Sequence, residues 1–420
     1  MKPIWVFFVI SIASVCAWAQ QLDGLKLPPG FQATVVADGL GAIRHLAVRA
    51  NGDIYVSTAV DKQNSGGGII ALHLDGSHHA DKVEHFGSVE GGTGIRFENG
   101  DLYAASPSGV YRFHFSGDAL LPDKDPQVII DGMPTAHPGF NRVNRAIAFD
   151  GKGNLYVALD ASGNLCTEAN SPPGSTLRAL PASLNPCPDL GQRAGIWRFD
   201  ARRAGQKFPT DGKQMATGIR DTTALDWSPA DGHLYVILQG RDDTHKYWPQ
   251  FVSEQEDDQI ADEMQRVSPG ADFGWPYTYY DGVRKERLMA PDYGGDGKKT
   301  APAGKYASPV LTFQSRRPAP VDLLFYTGHE FPARYHDGAF IALHGTRNKN
   351  GYDVVFVPFN RNGVAGGPTV FVDGFADFEA STTTPPRARY RPIGLAMGPD
   401  GSLYIADSQK GRIWRIAYGK

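Results

Sequence analysis

The sequence predicts an all-β protein and, within that class, a six-bladed β-propeller. Two observations support this prediction: one hairpin pattern recurs along the whole chain, and turn-forming residues are abundant. The 420 residues include 49 glycines and 30 prolines, without the Gly-x-y period that indicates collagen. Hydrophobic residues make up 41% of the chain, which is enough for a packed core and argues against disorder.

The recurring pattern is a hydrophobic strand, a turn that contains Gly, Asn or Asp, and a second strand that usually carries Leu-Tyr or Ile-Tyr. Asn-Gly and Asp-Gly supply the positive φ angles that tight hairpins need, and the flanks are typical of half-buried strands. The six copies, of which the fifth is stretched, begin at Leu46, Ile95, Ala146, Ala224, Leu323 and Leu395. Further strands follow some copies and start at Gly109, Gly195 and Gly411.

Four-stranded units that start roughly 50 to 100 residues apart are typical of a β-propeller. Six copies predict six blades, and five or seven blades remain open because inserted loops make the spacing irregular. The strand-like segment 31–40 is expected to add the outer strand of the last blade and so to close the ring. A pair of β-sandwiches is the rival architecture, but it would not require one pattern to recur along the chain.

The first 19 residues have the composition of a secretory signal peptide. Lys2 is followed by an apolar run over 4–17 and by the small-x-small sequence Ala17-Trp18-Ala19. The run is shorter than the roughly 20 residues that a membrane-spanning helix needs, and no later segment is long and apolar enough to span a bilayer. We therefore expect a periplasmic or secreted protein with one propeller domain over 20–420.

Two cysteines remain after the signal peptide is removed with Cys16. Cys166 and Cys187 lie in one stretch rich in proline, serine and asparagine. Paired cysteines are typical of exported proteins, whereas two thiols alone do not complete a zinc site. The sequence therefore predicts a disulfide between them.

Charge distribution points to a ligand at one end of the channel. The formal net charge of −3 argues against a nucleic-acid partner. In a propeller, however, the residues that precede each inner strand converge on one rim, and these positions are rich in arginine. We expect an anionic small ligand there, because guanidinium groups bind carboxylates in bidentate fashion. Alternatively, each arginine pairs with an acidic residue of a neighbouring blade. The arginines are Arg44, Arg142, Arg145, Arg220, Arg316, Arg317, Arg389 and Arg391.

Two further segments allow a functional and a structural interpretation. The turn 239–243 is followed by acidic residues over 254–263, and such a segment offers carbonyl and carboxylate oxygens to calcium or is simply a solvated loop. The aromatic residues of 271–282 form either a wall for sugar stacking or a cap on the hydrophobic face of the propeller.

These motifs resemble the soluble sugar dehydrogenases that depend on pyrroloquinoline quinone (PQQ), especially the aldose and sorbosone dehydrogenase branch. The resemblance runs from about Leu25 to the C-terminus. It rests on the segments GIRDTTALDW from Gly218, QGRD from Gln239, ADEMQRVSPGADFGWPY from Ala261, FYTGHEFPARYHDGAFIALHGTRN from Phe325 and RYRPIGLAMGPDGSLYIAD from Arg389.

The resemblance implies a six-bladed propeller that binds PQQ, a tricarboxylate, together with calcium in the channel mouth. The implied reaction removes hydride from the anomeric carbon of an aldose, while a base takes the hydroxyl proton and a lactone leaves. An external electron acceptor is implied as well, because the chain has no Cys-x-x-Cys-His haem motif. The resemblance also implies which residues contact the cofactor and the metal. Arg220 would contact the quinone oxygens, and Asp221 stands beside it where the family usually has asparagine. Gln239, Arg389 and Arg391 would contact the cofactor, and the carbonyls of Gly240 and Arg241 would bind calcium. His344 and Arg347 lie in the loop after the channel strand of the fifth blade, where the family also approaches the ligand.

The chain departs from this family at the catalytic base. Arg142 stands where the family has its catalytic histidine, and an arginine cannot act as a base near neutral pH. Asp160 occupies a position where some members of the family have a carboxylate partner of the histidine. To act as the base itself, Asp160 would need a pKa raised by burial, whereas a nearby arginine lowers the pKa. His137 lies five residues away from Arg142, and Arg317 replaces a second histidine.

Two alternative functions follow from this departure. One is a binding propeller that retains the anion site and has lost catalysis. The other is a calcium-dependent hydrolase of the lactonase type, with Asn144, Asp221 and Asp322 as metal ligands, although the surrounding arginines oppose a bare dication.

Overall fold

The structure is a computed structural model that describes residues 24–58, 68–87, 92–135, 144–167, 182–313, 318–346, 350–381 and 387–419. The expected signal peptide over 1–19 lies outside the described residues. The same holds for Arg142, Arg347, His137, Arg316 and Arg317. Within the described part of the chain, no helix has the length and hydropathy needed to cross a membrane.

Strand pairing confirms six four-stranded antiparallel blades. After strand β1 (Phe31–Ala37), the first blade consists of β2 (Ile43–Val48), β3 (Ile54–Thr58), β4 (Gly68–Leu74) and β5 (Ala80–Phe86). The second consists of β6 (Ile95–Glu98), β7 (Asp101–Ala105), β8 (Gly109–Phe113) and β9 (Gln127–Asp131). The third contains β10 (Ile147–Phe149), β11 (Asn154–Leu159), β12 (Gly195–Asp200) and β14 (Lys213–Thr217), and the short β13 (Gln206–Lys207) pairs with β9.

The fourth blade consists of β15 (Ala224–Ser228), β16 (His233–Leu238), β17 (Asp262–Val267) and β21 (Leu311–Phe313). Between its last two strands lie β18 (Ala271–Asp272), which pairs with β14, and a hairpin of β19 (Thr278–Asp281) and β20 (Glu286–Met289). The fifth blade contains β22 (Pro320–Phe325), β23 (Gly338–Leu343), β24 (Asp353–Pro358) and β25 (Thr369–Val372). The sixth contains β26 (Pro392–Met397), β27 (Leu403–Asp407) and β28 (Ile413–Tyr418).

Strand β1 supplies the fourth strand of the sixth blade. It pairs antiparallel with β28, from Phe31 opposite Tyr418 to Ala37 opposite Ile413. The Phe31 ring is buried and meets the rings of Phe331 and Phe371 edge-on, at centroid distances of 4.8 and 4.9 Å. The two ends of the described chain therefore meet in one blade, and aromatic packing fixes that junction.

Each copy of the repeat forms the first hairpin of one blade. In the second blade both turn residues, Asn99 and Gly100, have positive φ values of 52° and 86°, as the twist of a tight hairpin requires. The first strands β2, β6, β10, β15, β22 and β26 contact one another in a ring around the axis. The prediction placed Arg44 before its inner strand, and this is wrong. The strand begins earlier, so Arg44 lies within β2. Asp322, named as a metal ligand in the hydrolase alternative, lies within β22.

The helical segments are one turn long and lie in the loops. They are the α-helices α1 (Asp189–Gln192), α2 (Thr244–Tyr247) and α3 (Glu254–Asp257) and the 3-10 turns Pro291–Tyr293, Ala333–Tyr335 and Phe378–Ala380. The predicted disulfide joins Cys166 and Cys187, whose Cα atoms are 6.0 Å apart. Both cysteines pack with Trp275 in a small buried cluster, which holds the long loop between β11 and β12 against the fourth blade.

Candidate active site at the channel mouth

The channel mouth is the rim where inner strands begin and second strands end. Antiparallel pairing brings these two chain positions to the same end of a blade. Gln239, which follows β16, donates its backbone N–H to the carbonyl of Asp221 at 2.9 Å, shortly before β15. Asp160 follows β11 in the same way, and Arg391 directly precedes β26. The fold therefore places the predicted polar residues of four different segments around one opening.

Asp160 is the carboxylate with the most perturbed surroundings at this mouth. Its Oδ1 accepts a hydrogen bond from the backbone N–H of Thr222 at 3.0 Å. Surrounding protein removes most of its water, and this desolvation, followed by repulsion from Asp221, raises the pKa of Asp160 well above its usual range. Arg145 and Arg220 act in the opposite direction but do not outweigh burial. The arrangement produces a carboxyl group that holds its proton more strongly than an exposed aspartate does.

Asp221 lies beside Asp160 and is held in place by the preceding blade. The side-chain amide of Asn144 donates a hydrogen bond to Asp221 Oδ1 at 2.7 Å. This bond crosses from the start of the third blade to the start of the fourth. It satisfies one carboxylate oxygen of Asp221 and fixes the spacing of the two acids.

Arg220 is braced on three sides. Its Nη1 donates to Asp242 at 2.7 Å and to Asn164 at 3.2 Å, and its Nε donates to the carbonyl of Gln239 at 3.3 Å. Its side chain is 10% exposed, whereas that of Asp242 is 53% exposed. Arg220 therefore pairs with an acidic residue, but Asp242 follows the second strand of the same blade and does not belong to a neighbouring blade, as the alternative required. The guanidinium nevertheless remains at the mouth, and its partner lies at the solvent boundary.

The turn at Gly240 and Arg241 has its two ends pinned. The backbone N–H of Gly240 donates to Asp262 Oδ1 at 2.9 Å. The Arg241 side chain turns inward, where its Nη1 lies 2.7 Å from Asp292 Oδ1 and its guanidinium carbon lies 4.8 Å from the centre of the Trp248 ring. Among the described residues, no donor forms a hydrogen bond to the carbonyl oxygens of Gly240 or Arg241. Two successive carbonyls are thus available to a hard cation.

His344 and Arg391 lie together on the opposite side of the mouth. Arg391 Nε donates to the His344 carbonyl at 3.1 Å, and its guanidinium lies 5.6 Å from the centre of the Tyr352 ring. The His344 ring Nε2 forms a 2.8 Å hydrogen bond with the hydroxyl of Ser408. The placement of His344 after the channel strand is wrong, because β22 lines the channel and His344 follows the second strand, β23.

Two of the predicted rim arginines are engaged elsewhere. Arg389 contacts Asp377 at 3.4 Å and lies over the Tyr390 ring at 5.1 Å. The buried Arg145 donates through its guanidinium to the carbonyls of Pro107, Asn144 and Pro134, and burial lowers its pKa to about 10. The prediction that Arg145 faces a ligand is therefore wrong. Loop carbonyls distant in sequence use its donors.

Sequence reasoning missed Asn164, which organises the Arg220 side of the mouth. Its Oδ1 accepts from Arg220 and from the Asp242 backbone N–H at 3.0 Å, and its Nδ2 donates to the Asp242 carbonyl at 2.7 Å. The indole N–H of Trp275 donates to its carbonyl at 3.1 Å. Its position two residues before Cys166 was the available signal, since a disulfide-anchored loop is held in place.

The acidic and aromatic segments have structural roles. Ser253 and Glu256 form a capping box on α3, and Glu256 also pairs with Arg284. Trp275 and Tyr279 are buried, which agrees with the cap interpretation for these two rings, whereas Tyr280 is partly exposed. In the described ranges, no group of three or more His, Cys, Asp or Glu side chains could hold a metal ion.

The ligand set of the hydrolase alternative does not converge. Asp322 is fully buried within β22 and accepts the backbone N–H groups of Leu323 and Leu395, at 2.9 and 2.7 Å. One of its oxygens also lies 3.4 Å from Arg96. Its bonding capacity is therefore used inside the channel rather than beside Asn144 and Asp221.

Comparisons with known proteins agree with this architecture. The holo form of the pyranose dehydrogenase PQQ domain from Coprinopsis cinerea superimposes with a TM-score of 0.71 at 16% identity, over 96% of this chain and 99% of that chain. The calcium structure of the Carbohydrate-Active Enzymes Family AA12 protein from Trichoderma reesei gives 0.71 at 16% identity, over 94% and 98% of the two chains. The PQQ-bound aldose sugar dehydrogenase from Streptomyces coelicolor gives 0.57 at 17% identity, over 93% and 99%. At these identities the likeness establishes a shared fold.

One curated relative is an uncharacterized protein of Borreliella burgdorferi, 25% identical over 211 residues. The match covers 49% of each chain, so this chain spans about half the length of that relative. A model of the family described as TrAA12-like matches residues 25–419. This range has the same extent as the resemblance to PQQ-dependent sugar dehydrogenases drawn from the motifs, and that resemblance is confirmed. Since the match spans nearly the whole described propeller, the chain belongs to the TrAA12-like family.

Proposed function

We propose that this protein is an exported dehydrogenase that oxidises an aldose or a related sugar, such as sorbosone, with PQQ and calcium and passes the electrons to an external acceptor. Family membership and the PQQ-containing structural neighbours support this proposal. The observation that carries it is the Asp160 carboxyl with a raised pKa, placed at a mouth that also offers guanidinium groups and free carbonyls.

The residues at the mouth fit both cofactors. Arg220, before the fourth blade, and Arg391, before the sixth, present guanidinium groups at different points of the rim, which suits a tricarboxylate. The side-chain amide of Gln239 forms no hydrogen bond to any described residue and can contact the ligand. The Gly240 and Arg241 carbonyls would hold calcium, and Asp262 and Asp292 keep their turn in position. Bound PQQ would supply the two-electron oxidation at the anomeric carbon.

Asp160 is the proposed general base. In the ionised form its carboxylate accepts the proton of the anomeric hydroxyl, and the Thr222 N–H keeps one oxygen oriented. Its raised pKa makes it a stronger base than an exposed aspartate, which increases the driving force for proton transfer. Arg142, which stands in the family's histidine position, would bind an anion or a substrate oxygen instead of moving a proton.

A reconstitution assay tests the proposal. Protein loaded with PQQ and calcium is given a panel of aldoses and sorbosone together with an artificial electron acceptor. We expect acceptor reduction that depends on sugar, PQQ and calcium, with a matched sample in chelator as control. PQQ binding without turnover on any sugar would favour the alternative of a binding propeller that has lost catalysis.

A further inference from the structure

A groove of about 720 Å³ lies between the fourth and fifth blades. One wall is the outer strand β21 with the hairpin residues Tyr280 and Lys285, and the other contains Leu343, Asn350 and Val355. Its volume falls within the range of about 300–1,000 Å³ that is typical of ligand sites. The mechanism proposed above does not use this groove.

One end of the groove is lined by residues that adjoin residues of the channel mouth. Leu343, in its lining, directly precedes His344. Pro318, also in the lining, accepts the backbone N–H of Gly345 at 2.9 Å, and Arg391 donates to the Gly345 carbonyl. Gly351 closes this junction, since a Cβ there would lie 2.6 Å from the Pro318 carbonyl oxygen. A ligand with one end beside Arg391 would therefore have its distal part in the groove.

The chemistry of the lining suits a neutral, amphipathic chain. Tyr280 and Thr312 offer hydrogen-bonding groups, while proline, leucine and valine side chains provide apolar surface. Among the lining residues that the structure describes, Lys285 carries a charge and none is a carboxylate. The Tyr280 ring is backed by Arg287 at 5.5 Å, and Glu263 pairs with that arginine. Sugar rings present apolar faces and hydroxyl edges, which match an aromatic ring flanked by polar groups.

A peptide added as a strand to β21 is a poorer occupant. The strand is three residues long, and Pro309 precedes it by two residues. Short edge strands and prolines are the features by which proteins prevent strand addition.

We propose that this groove is an extended subsite for the distal units of an oligosaccharide whose reducing end lies at the mouth. The preferred substrate is then an oligosaccharide, or the end of a polysaccharide, rather than a free monosaccharide. This inference rests on the proposed sugar oxidation, and it adds a substrate class and a binding surface to it.

Xylose and glucose oligomers of one to four units test the inference, through binding to cofactor-free protein by calorimetry and through kcat/KM of the reconstituted protein. We expect affinity and kcat/KM to rise at least tenfold between one and three units in one series. Thr312→Trp fills the groove and should abolish this gain while leaving monosaccharide kcat/KM within twofold. Thr34→Trp is the matched control, because Thr34 is also a partly exposed threonine on an outer strand, and it should behave like the wild type.

Affinity that is independent of chain length in both series would overturn the inference. So would a length-dependent gain that Thr312→Trp leaves intact. The two proposals can fail separately. Oligomer binding that Thr312→Trp abolishes, in the absence of sugar oxidation, would refute the dehydrogenase proposal and support the groove as a subsite. Sugar oxidation that does not depend on chain length would support the dehydrogenase proposal and refute the groove as a subsite.

Discussion

At the scale of single residues, the protonation of Asp160 is the main chemical feature of the mouth. Burial and Asp221 raise its pKa, whereas Arg145 and Arg220 lower it. A base with a raised pKa is ionised in a smaller fraction of molecules at low pH. Sugar oxidation should therefore increase as pH rises through the pKa of Asp160.

Asp160→Asn removes the proposed base and retains a side chain of similar size. We expect kcat to fall about 10²- to 10⁴-fold, the usual contribution of a general base, with PQQ affinity within a few-fold of the wild type. Steady-state pH profiles of both proteins provide the measurement. An unchanged kcat, or an unchanged rise of kcat with pH in the variant, would assign the base to another residue.

The pH dependence of protein stability reports on the protonation of Asp160 independently of catalysis. Because the folded-state pKa of Asp160 is raised above its usual value of 3.8, the protonated form contributes stability that is fully present below that value. This contribution is lost as pH rises through the folded-state pKa. Thermal unfolding across pH should show a smaller loss of stability for Asp160→Asn than for the wild type over this window, and parallel curves would contradict the raised pKa.

Arg220 tests the anion site. Arg220→Ala should lower PQQ affinity more than about tenfold, because a charge-assisted hydrogen bond contributes roughly 1.5 to 3 kcal/mol. Arg203→Ala is the control, since Arg203 pairs with Asp211 in the third blade away from the mouth. Equal PQQ affinities of the two variants, measured by fluorescence titration, would remove Arg220 from the site.

Single residues also show which parts of the site could not be predicted from the sequence. The positions of Arg220, Asp221 and Gln239 at strand ends could be predicted because the hairpin pattern is readable locally. Their contacts with a cofactor were implied by the family resemblance and stay predictions. Arg145 could not be assigned correctly, since its direction depends on the Pro107 and Pro134 carbonyls, which other loops supply.

At the scale of elements, the hairpins could be predicted because their turn chemistry is local. The hairpin β19–β20 was missed, since its strands are four residues long and carry little alternation. The loop between β11 and β12 could be predicted only as a disulfide-bonded segment. Its contact with Arg220 through Asn164 depends on tertiary packing.

The disulfide should therefore affect both stability and cofactor binding. Replacing Cys166 and Cys187 by serine opens a loop with a sequence separation of 21, for which chain-entropy estimates give roughly 3 kcal/mol of lost stability. Loosening of Asn164 should also weaken PQQ binding. Urea unfolding and PQQ titration of the double variant measure the two effects, and wild-type values in both would show that the bond does not support the mouth.

At the scale of the whole molecule, six blades serve to bring distant segments to one rim. Asn144, Asp160, Gln239, His344 and Arg391 come from different strand ends, and ring closure by β1 and β28 keeps those ends in register. The repeat predicted this convergence, because every blade points its inner strand at the same axis. Which side chains then face the opening depends on neighbouring blades.

The most direct test of this account is a PQQ titration of the wild-type protein, with and without calcium. We expect saturable binding of one equivalent of PQQ with calcium present and clearly weaker binding in chelator. No binding in either condition, or identical binding in both, would contradict a PQQ and calcium site at the channel mouth.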